Sequence, residues 1–230
     1  MPVAIITGAS QGFGRAIATD LAKDGWALVI DARRTDKLEE AARTLEGLGT
    51  PVRAIAGDVT DPDHLVALVE SAEGLGGLNL LINNASTLGP SPLPRLDGYP
   101  MDALRRVYEV NVFAPLALVQ LALPLLRRSR GTVVSVSSDA AVAAYDGWGG
   151  YGSSKAALDL LHAVLAGEQP ELQIYQFDPG DMRTEMHQAA FPGEDISDRA
   201  APESVVPAFR RMLDAAAPNG RYRADQWSEP

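Results

Sequence analysis

Tyr151 and Lys155 stand four residues apart at the start of a predicted helix, so their side chains share one helical face. A free tyrosine has a pKa of about 10, which is too high for efficient proton transfer near neutrality. A neighbouring ammonium group favours the phenolate and lowers that pKa. Lysine is scarce in this chain, with three among the 20 basic residues, and one of the three is here. The pair predicts a tyrosine proton shuttle, although an exposed pair without function has the same spacing.

Two further polar residues have types that suit such chemistry. Ser138 comes just past the end of a predicted strand, where its hydroxyl could donate a hydrogen bond to a substrate oxygen. Asn111 lies inside a predicted helix between two valines, where its amide could equally satisfy a local backbone group. Neither residue would be singled out by itself.

A glycine-rich turn, residues 7–14 with the sequence TGASQGFG, joins the first predicted strand to the first predicted helix. Gly8 permits a tight turn, Gly12 lets the backbone approach a pyrophosphate, and Gly14 lets the helix pack closely on the strand. The helix N-terminus offers unpaired N–H groups to phosphate oxygens. The position of the turn favours a dinucleotide site over a plain glycine turn.

The ends of the next two predicted strands give mixed signals about the cofactor. Asp31 is of the type that binds a ribose 2′-hydroxyl, whereas Arg33 is of the type that accommodates a 2′-phosphate. Arg33 and Arg34 could also be a solvated pair at the start of a helix. Asp58 could accept a hydrogen bond from an adenine amino group, or cap the helix that follows.

The elements that must position these residues alternate along the chain. Short apolar runs predict strands over 3–7, 26–31, 52–56, 78–83, 132–137 and 172–178, and a short last strand over 221–224. Helical spacing predicts helices over 12–24, 36–48, 62–73, 101–128, 151–167 and 202–217. Repeated β-α-β units predict one α/β domain over residues 1–230, a doubly wound Rossmann-type parallel sheet of about seven strands with helices on both faces.

Three irregular stretches follow strand ends, where open α/β sheets bind ligands. They cover 86–100, 144–150 and 182–201, and the last is long enough to act as a substrate lid within the domain. Apolar candidates for the pocket wall are Leu88, Leu93, Tyr145, Trp148, Met182, Met186 and Phe191, although each could simply pack its own loop. They favour a small apolar ligand over a free sugar. His187 is expected at the surface.

Composition excludes several function classes. The net charge of −10, without a basic cluster, argues against a nucleic-acid partner. The chain has no Cys and three widely separated His, so neither thiol chemistry nor a metal site is predicted. No targeting segment is recognised, and the longest apolar stretch, 113–126, is short and interrupted by prolines. We therefore expect a cytoplasmic protein with no membrane partner.

The ordered set of motifs resembles the short-chain dehydrogenase/reductase (SDR) family from Pro2 to about Ala224. TGASQGFG matches the family's TGxxxGxG, and residues 83–86 match its NNAG segment, with Ser86 in place of the glycine. The catalytic tetrad is matched by Asn111, Ser138, Tyr151 and Lys155, with Ser138 13 residues before Tyr151. Residues 178–184 match the PGxxxT segment at the nicotinamide end.

The resemblance implies an NAD(P)H-dependent oxidoreductase that reduces a ketone or aldehyde to an alcohol, or catalyses the reverse. Tyr151 would be the general acid or base, and Lys155 would hold the nicotinamide ribose and lower the tyrosine pKa. Ser138 would orient the substrate carbonyl, and Asn111 would anchor a water in the proton relay. The cofactor-binding residues implied are Gly8, Ser10, Gln11, Gly12, Phe13, Gly14, Arg33, Asp58, Val59, Asn84, Ala85, Tyr151, Lys155, Pro179, Gly180 and Thr184.

The resemblance also bears on cofactor type and assembly. Arg33 stands where NADP-preferring members place an arginine, and Ala32 replaces the acid of NAD-preferring ones. Gln11 instead favours NAD(H), because that position is often basic in NADP-preferring members. NADP(H) is therefore the expected cofactor, with NAD(H) possible. The family pairs the helices predicted here over 101–128 and 151–167, so their apolar residues predict a homodimer or homotetramer; these are Leu116, Leu118, Leu121, Leu158, Leu161, Val164 and Leu165.

Two alternatives belong to other functional classes. A catalytically silent nucleotide-binding or sensing protein could keep this fold, although the intact Tyr151 and Lys155 argue against it. A sugar-nucleotide epimerase or dehydratase fits less well, because those relatives have TGxxGxxG spacing and a larger C-terminal substrate region. The residues leave open the identity of the substrate and the direction of the reaction.

Overall fold

Seven strands form one parallel sheet in the computed structural model, which describes residues 1–228. They are β1 (Val3–Ile6), β2 (Ala27–Ala32), β3 (Val52–Ala56), β4 (Leu80–Asn83), β5 (Thr132–Val136), β6 (Gln173–Asp178) and β7 (Gly220–Arg223). The strand order is β3-β2-β1-β4-β5-β6-β7, and it reverses direction between β1 and β4. This confirms the predicted doubly wound Rossmann-type sheet, while the last two residues of the predicted domain lie outside the described residues.

Within residues 1–228, eight α-helices connect the strands. They are α1 (Gly12–Lys23), α2 (Thr35–Glu46), α3 (Pro62–Gly74), α4 (Met101–Tyr108), α5 (Ala114–Ser129), α6 (Gly149–Glu168), α7 (Glu185–Ala190) and α8 (Pro202–Asp214). One apolar core lies between the sheet and α1, α2 and α8, with Phe13 and Phe209 at its centre. A second core covers the opposite face under α3 and α5, with Leu68 and Leu118 fully buried. The two cores explain why most strands are apolar on both faces.

The predicted helix over 101–128 differs from the structure at its centre. A turn of π-helix, Glu109–Phe113, joins α4 to α5, and it places Asn111 inside the protein. Helical periodicity does not reveal such a turn, because it inserts a single extra residue into the α-helical repeat. The predicted helix therefore has the right extent and the wrong internal geometry.

The combined helical run Met101–Ser129 also corrects an expectation about membranes. Over its 29 residues it is long and apolar enough to cross a bilayer by length and composition. More than half (56%) of its most apolar window is buried inside the protein, and core helices of soluble proteins pass the same test. One such helix is weak evidence for a membrane span, and the helical run extends beyond the apolar stretch 113–126 at both ends.

The predicted lid region has more order than its irregular sequence indicates. Helix α7 lies within 182–201, and Thr184 caps it by accepting a hydrogen bond from the His187 N–H at 3.1 Å. A parallel bridge between Met182 and Ala200 joins the two ends of the segment. The predicted lid is thus a closed loop that carries one short helix.

Candidate active site

A cleft of about 1050 Å³ opens at the carboxyl ends of the strands, next to the point where the strand order reverses. Of the residues that the sequence assigns to cofactor binding or catalysis, all line this cleft except Gly14 and Asn111. Its volume is at the upper end of the range for small-molecule sites. The cleft is therefore large enough for an extended ligand.

The glycine-rich turn has the left-handed backbone geometry that its glycines predict. Gly8 and Gly12 have φ values of +66° and +57°, in the left-handed region that favours glycine. A Cβ on Gly14 would lie 2.4 Å from Asn84 Nδ2 and 2.8 Å from the Gly8 carbonyl oxygen. Asn84 Nδ2 donates to the carbonyls of Thr7 and Gly8, at 2.9 and 3.1 Å. The side chain of Asn84 thus braces the turn.

Asp31 supports the same turn from within the protein. Its Oδ1 accepts the Gly8 N–H at 2.7 Å, and its Oδ2 lies 2.9 Å from His64 Nε2. Burial raises the pKa of the Asp31 carboxyl, and the contacts with His64 and Gly8 act in the opposite direction. The Asp31 carboxylate, which could have contacted a ribose, instead binds the Gly8 N–H and His64. Its partner His64 was not identified from the sequence, because it lies 33 residues away on α3.

The far end of the cleft contains the charged groups expected near an adenosine. Although partial burial acts in the opposite direction, hydrogen bonds from Thr60 and the Arg106 guanidinium hold the pKa of Asp58 below its usual value. Arg106, on α4, was not identified from the sequence, yet it lines the cleft. Arg33 also lines the cleft, and within residues 1–228 its guanidinium has no ion pair or hydrogen bond.

Tyr151 and Lys155 lie together on α6 and are both buried. Lys155 Nζ is 5.6 Å from the centre of the tyrosine ring and donates to the Val136 carbonyl at 2.8 Å. Burial raises the pKa of Tyr151 well above 10, while a hydrogen bond with Ser138 acts in the opposite direction. Burial also lowers the pKa of Lys155 to about 8. The net lowering of the tyrosine pKa that the resemblance implies is therefore not found in this structure, because burial outweighs the groups that favour the tyrosinate.

The side chain of Asn111 is held by four hydrogen bonds within the protein. Its Oδ1 accepts from Ser86 Oγ and from the Thr87 N–H, at 3.1 and 2.9 Å. Its Nδ2 donates to the Thr87 carbonyl and to Ser154 Oγ, both at 2.9 Å. All four hydrogen-bonding positions of the side-chain amide are used by protein groups, so a relay water at Asn111 stays a prediction that only its backbone could fulfil. Asn111 joins the segment after β4 to α6, and Ser86, the departure from NNAG, is one of its partners.

Ser138 is held at the end of β5 by its neighbours in the chain and by Arg221 on β7. Its hydroxyl donates to Asp139 Oδ1 at 3.0 Å and accepts the Ala140 N–H at 3.2 Å. Arg221 Nη2, from β7, donates to the Ser138 carbonyl and to Asp178 Oδ2, both at 2.8 Å. Arg221 Nε also donates to Asp159 Oδ2 at 3.1 Å. Arg221 was missed from the sequence because nothing local to β7 indicates these distant partners.

The substrate end of the cleft only partly matches the predicted wall. Leu88, Trp148, Met182 and Met186 line it, as predicted. Leu93, Tyr145 and Phe191 are outside the wall, and the rings of Tyr145 and Phe191 pack behind Trp148, with centroids 6.5 and 5.8 Å away.

His187 corrects a further expectation, because it is not a surface residue. Its side chain is 10% exposed, lines the cleft and packs on Phe191 with ring centroids 4.9 Å apart. The physical reason is the cap at Thr184. Because α7 begins directly after this residue, His187 lies in the first turn of the helix and faces the inner side of the segment.

Comparison with known proteins adds independent evidence. A family model described as short chain dehydrogenase matches residues 2–195. An uncharacterised oxidoreductase of Saccharomyces cerevisiae is 33% identical over 232 residues, covering 96% of this chain and 87% of the relative. The sepiapterin reductase of Mus musculus is 33% identical over 202 residues, covering 82% of this chain and 77% of the relative.

A solved structure resembles this one over nearly its full length. It is a short chain dehydrogenase of Shigella flexneri complexed with NADP, which is 28% identical to this chain. The similarity covers 97% of each chain with a TM-score of 0.90.

Proposed function

The chain belongs to the short chain dehydrogenase family, and we propose that it reduces a small apolar ketone or aldehyde with NADPH, using Tyr151 as the general acid. The observation that carries the proposal is the buried pair of Tyr151 and Lys155 in the wall of the cleft, with Ser138 beside the tyrosine. Family membership supports an oxidoreductase that uses a nicotinamide dinucleotide.

The residues present fit such a cofactor. The turn at Gly8 and Gly12 leaves backbone in the cleft wall, with N–H groups at the start of α1 available for phosphate oxygens. Asp58 would hold the adenine, Lys155 the nicotinamide ribose, and Thr184 the nicotinamide end. When bound, the reduced nicotinamide supplies the hydride.

Side chains of this protein would stabilise the negative charge that develops on the substrate oxygen during hydride transfer. The Ser138 hydroxyl would donate a hydrogen bond to that oxygen and fix its position. The Tyr151 hydroxyl would transfer its proton to the same oxygen, and the Lys155 ammonium would stabilise the tyrosinate that remains. The raised pKa keeps Tyr151 protonated at neutral pH, which is the form that reduction needs.

The pH dependence of reduction follows from the two pKa shifts. Because the pKa of Lys155 is lowered to about 8, we expect kcat to be level up to about pH 8. Above that pH, kcat should fall by as much as about tenfold per unit as the ammonium is lost. Initial rates of NADPH oxidation from neutral to alkaline pH measure the profile. Lys155→Arg keeps the positive charge, so its profile should lack this fall even if its rate is lower. A kcat that rises above pH 8 would contradict the role of Tyr151 as an acid.

Arg33 is the residue that we propose for recognition of the 2′-phosphate. Replacing Arg33 with Ala should weaken NADPH binding about tenfold, because one charge-assisted hydrogen bond to the phosphate is lost. NADH binding should change less than about twofold. Isothermal titration with each cofactor gives the two Kd values. Arg53→Ala, which removes an exposed arginine of β3 outside the cleft wall, is the matched control. Equal losses for both cofactors would refute this assignment.

An initial-rate screen of ketones and aldehydes, with NADPH and with NADH, tests the function directly. We expect turnover with at least one apolar carbonyl compound. Clear cofactor binding without turnover on broad carbonyl and alcohol panels would instead favour a catalytically silent nucleotide-binding protein.

The surface of α5 and α6 supports the homodimer or homotetramer predicted from the sequence. Four apolar residues are exposed on these helices or in the π-helical turn just before α5, namely Phe113, Leu121, Leu160 and Val164. Of the residues predicted for this face, Leu118, Leu158 and Leu165 are buried in the protein's own interior and are not available to a partner. The exposed face therefore has fewer of the predicted residues than expected. It also includes Phe113 and Leu160, which were not predicted for it.

A further inference from the structure

Glu185, the first residue of α7, is contacted by three donors from the opposite side of the cleft. Its Oε1 lies 2.6 Å from Lys37 Nζ, and its Oε2 lies 3.1 Å from Arg34 Nη2 and 3.0 Å from Gln11 Nε2. Gln11 Oε1 in turn accepts from Lys37 and Arg34. We call these four residues the Glu185 cluster. It joins the proposed lid to the glycine-rich turn and to the start of α2.

The cations of the Glu185 cluster stand where cofactor type is decided in this fold. Arg34 and Lys37 follow β2 directly and are next to Arg33, at the strand end where a ribose or its 2′-phosphate is recognised. Gln11, Arg34 and Glu185 all line the cleft. The carboxylate of Glu185 therefore occupies an anion position beside the proposed 2′-phosphate site.

Glu185 is an anion at any working pH. Hydrogen bonds from Lys37 and Gln11, together with the charges of Arg34 and Lys37, lower its pKa to about 2. Its partners lie 148 to 174 positions earlier in the chain, so the cluster is a long-range contact of the fold. The other arginine pairs of the 182–201 segment connect residues of that segment or its flank, such as Arg199 with Asp198 and Asp181.

We propose that Glu185 determines cofactor specificity as an internal anion that competes with the 2′-phosphate of NADP(H) for Arg34 and Lys37. The inference rests on the proposed dinucleotide function. A phosphate that binds these cations must displace the carboxylate, which also releases the tie between α7 and α2. A cofactor without the 2′-phosphate leaves the Glu185 cluster intact. Glu185 thus reduces the advantage that the basic residues after β2 give to NADP(H).

The test replaces Glu185 with Gln, which keeps the size of the side chain and removes its charge. We expect the Kd of NADP⁺ and of 2′,5′-ADP to fall about three- to tenfold, a range set by the modest strength of exposed ion pairs. The Kd of NAD⁺ and of 5′-AMP should stay within about twofold. The increase in affinity of Glu185→Gln for NADP⁺ and 2′,5′-ADP should be smaller at high ionic strength, because salt screens exposed charges. Isothermal titration of the full chain with the four ligands measures all of this.

Glu194→Gln is the matched control, because it removes the same charge from an exposed position of the same segment. It should leave all four Kd values unchanged. An unchanged Kd for NADP⁺ in Glu185→Gln would overturn the inference. Weaker binding of NADP⁺ would also overturn it, because Glu185 would then hold the segment closed over the cofactor. These outcomes differ from failure of the proposed function, in which the unaltered protein itself binds neither dinucleotide.

Discussion

Replacing Tyr151 with Phe is expected to lower kcat for carbonyl reduction by about a thousandfold, which is within the usual contribution of a positioned general acid. The Kd of NADPH should stay within about threefold, because the substitution removes one hydroxyl and keeps the ring. That ring packs edge-on against Trp148, with centroids 5.8 Å apart, and Lys155 Nζ lies 5.6 Å from its centre. Steady-state rates and isothermal titration on the same preparation separate turnover from binding.

Tyr145→Phe is the control for Tyr151→Phe. The Tyr145 hydroxyl donates to Asp139 at 2.8 Å, and the residue is outside the cleft wall. We expect it to retain nearly all of the original kcat. If Tyr151→Phe turned over at the original rate, the assignment of the general acid would be wrong. If it lost NADPH affinity as well as kcat, the hydroxyl would be needed to form the binding site and not only for proton transfer.

Replacing Gly14 with Ala should damage both the fold and the cofactor site. The new Cβ would lie 2.4 Å from Asn84 Nδ2 and 2.8 Å from the Gly8 carbonyl oxygen, so α1 must move away from β1. We expect a loss of about 2–3 kcal/mol in the free energy of unfolding, as for other overpacked sites. NADPH affinity should fall more than about tenfold, because Asn84 also braces the turn at Gly8. Urea unfolding and isothermal titration measure the two effects.

Gly167→Ala distinguishes the close packing of Gly14 from a general effect of alanine in a helix. Gly167 is in α6, and an added Cβ there would have nothing within 4 Å. This variant should be more stable than the original protein by about 0.5–1 kcal/mol, because alanine is the better helix former. Unchanged stability and affinity in Gly14→Ala would show that Asn84 can move aside and that the turn does not depend on this contact.

The features that could be predicted from the sequence are those with local causes. The strands follow from short apolar runs, and the left-handed conformations at Gly8 and Gly12 follow from a residue type that tolerates them. Parallel strands bring their carboxyl ends to one edge, so a turn after β1 and a serine after β5 had to share a cleft. Tyr151 and Lys155 are neighbours because they are one helical turn apart.

The features that were missed depend on contacts between distant segments. Nothing around His64 indicates that it faces Asp31, and nothing around Arg106 indicates that it pairs with Asp58 across 48 positions. The π-helical turn at Asn111 was missed because its single extra residue is invisible to periodicity. The raised pKa of Tyr151 was missed because burial is a property of the whole fold, whereas the nearby lysine is visible in the sequence.

The position of Arg221 on the last strand has a consequence for the order in which the protein acquires its properties during synthesis. The brace at Asn84 is present once the first four strands have been made, so the turn for the dinucleotide needs little more than a third of the chain. The Ser138 carbonyl gains its hydrogen bond from Arg221 only after β7 has been synthesised and has paired with β6, its one neighbour in the described sheet. A nascent chain can therefore form the glycine-rich turn well before Arg221 is available to hold the carbonyl of Ser138.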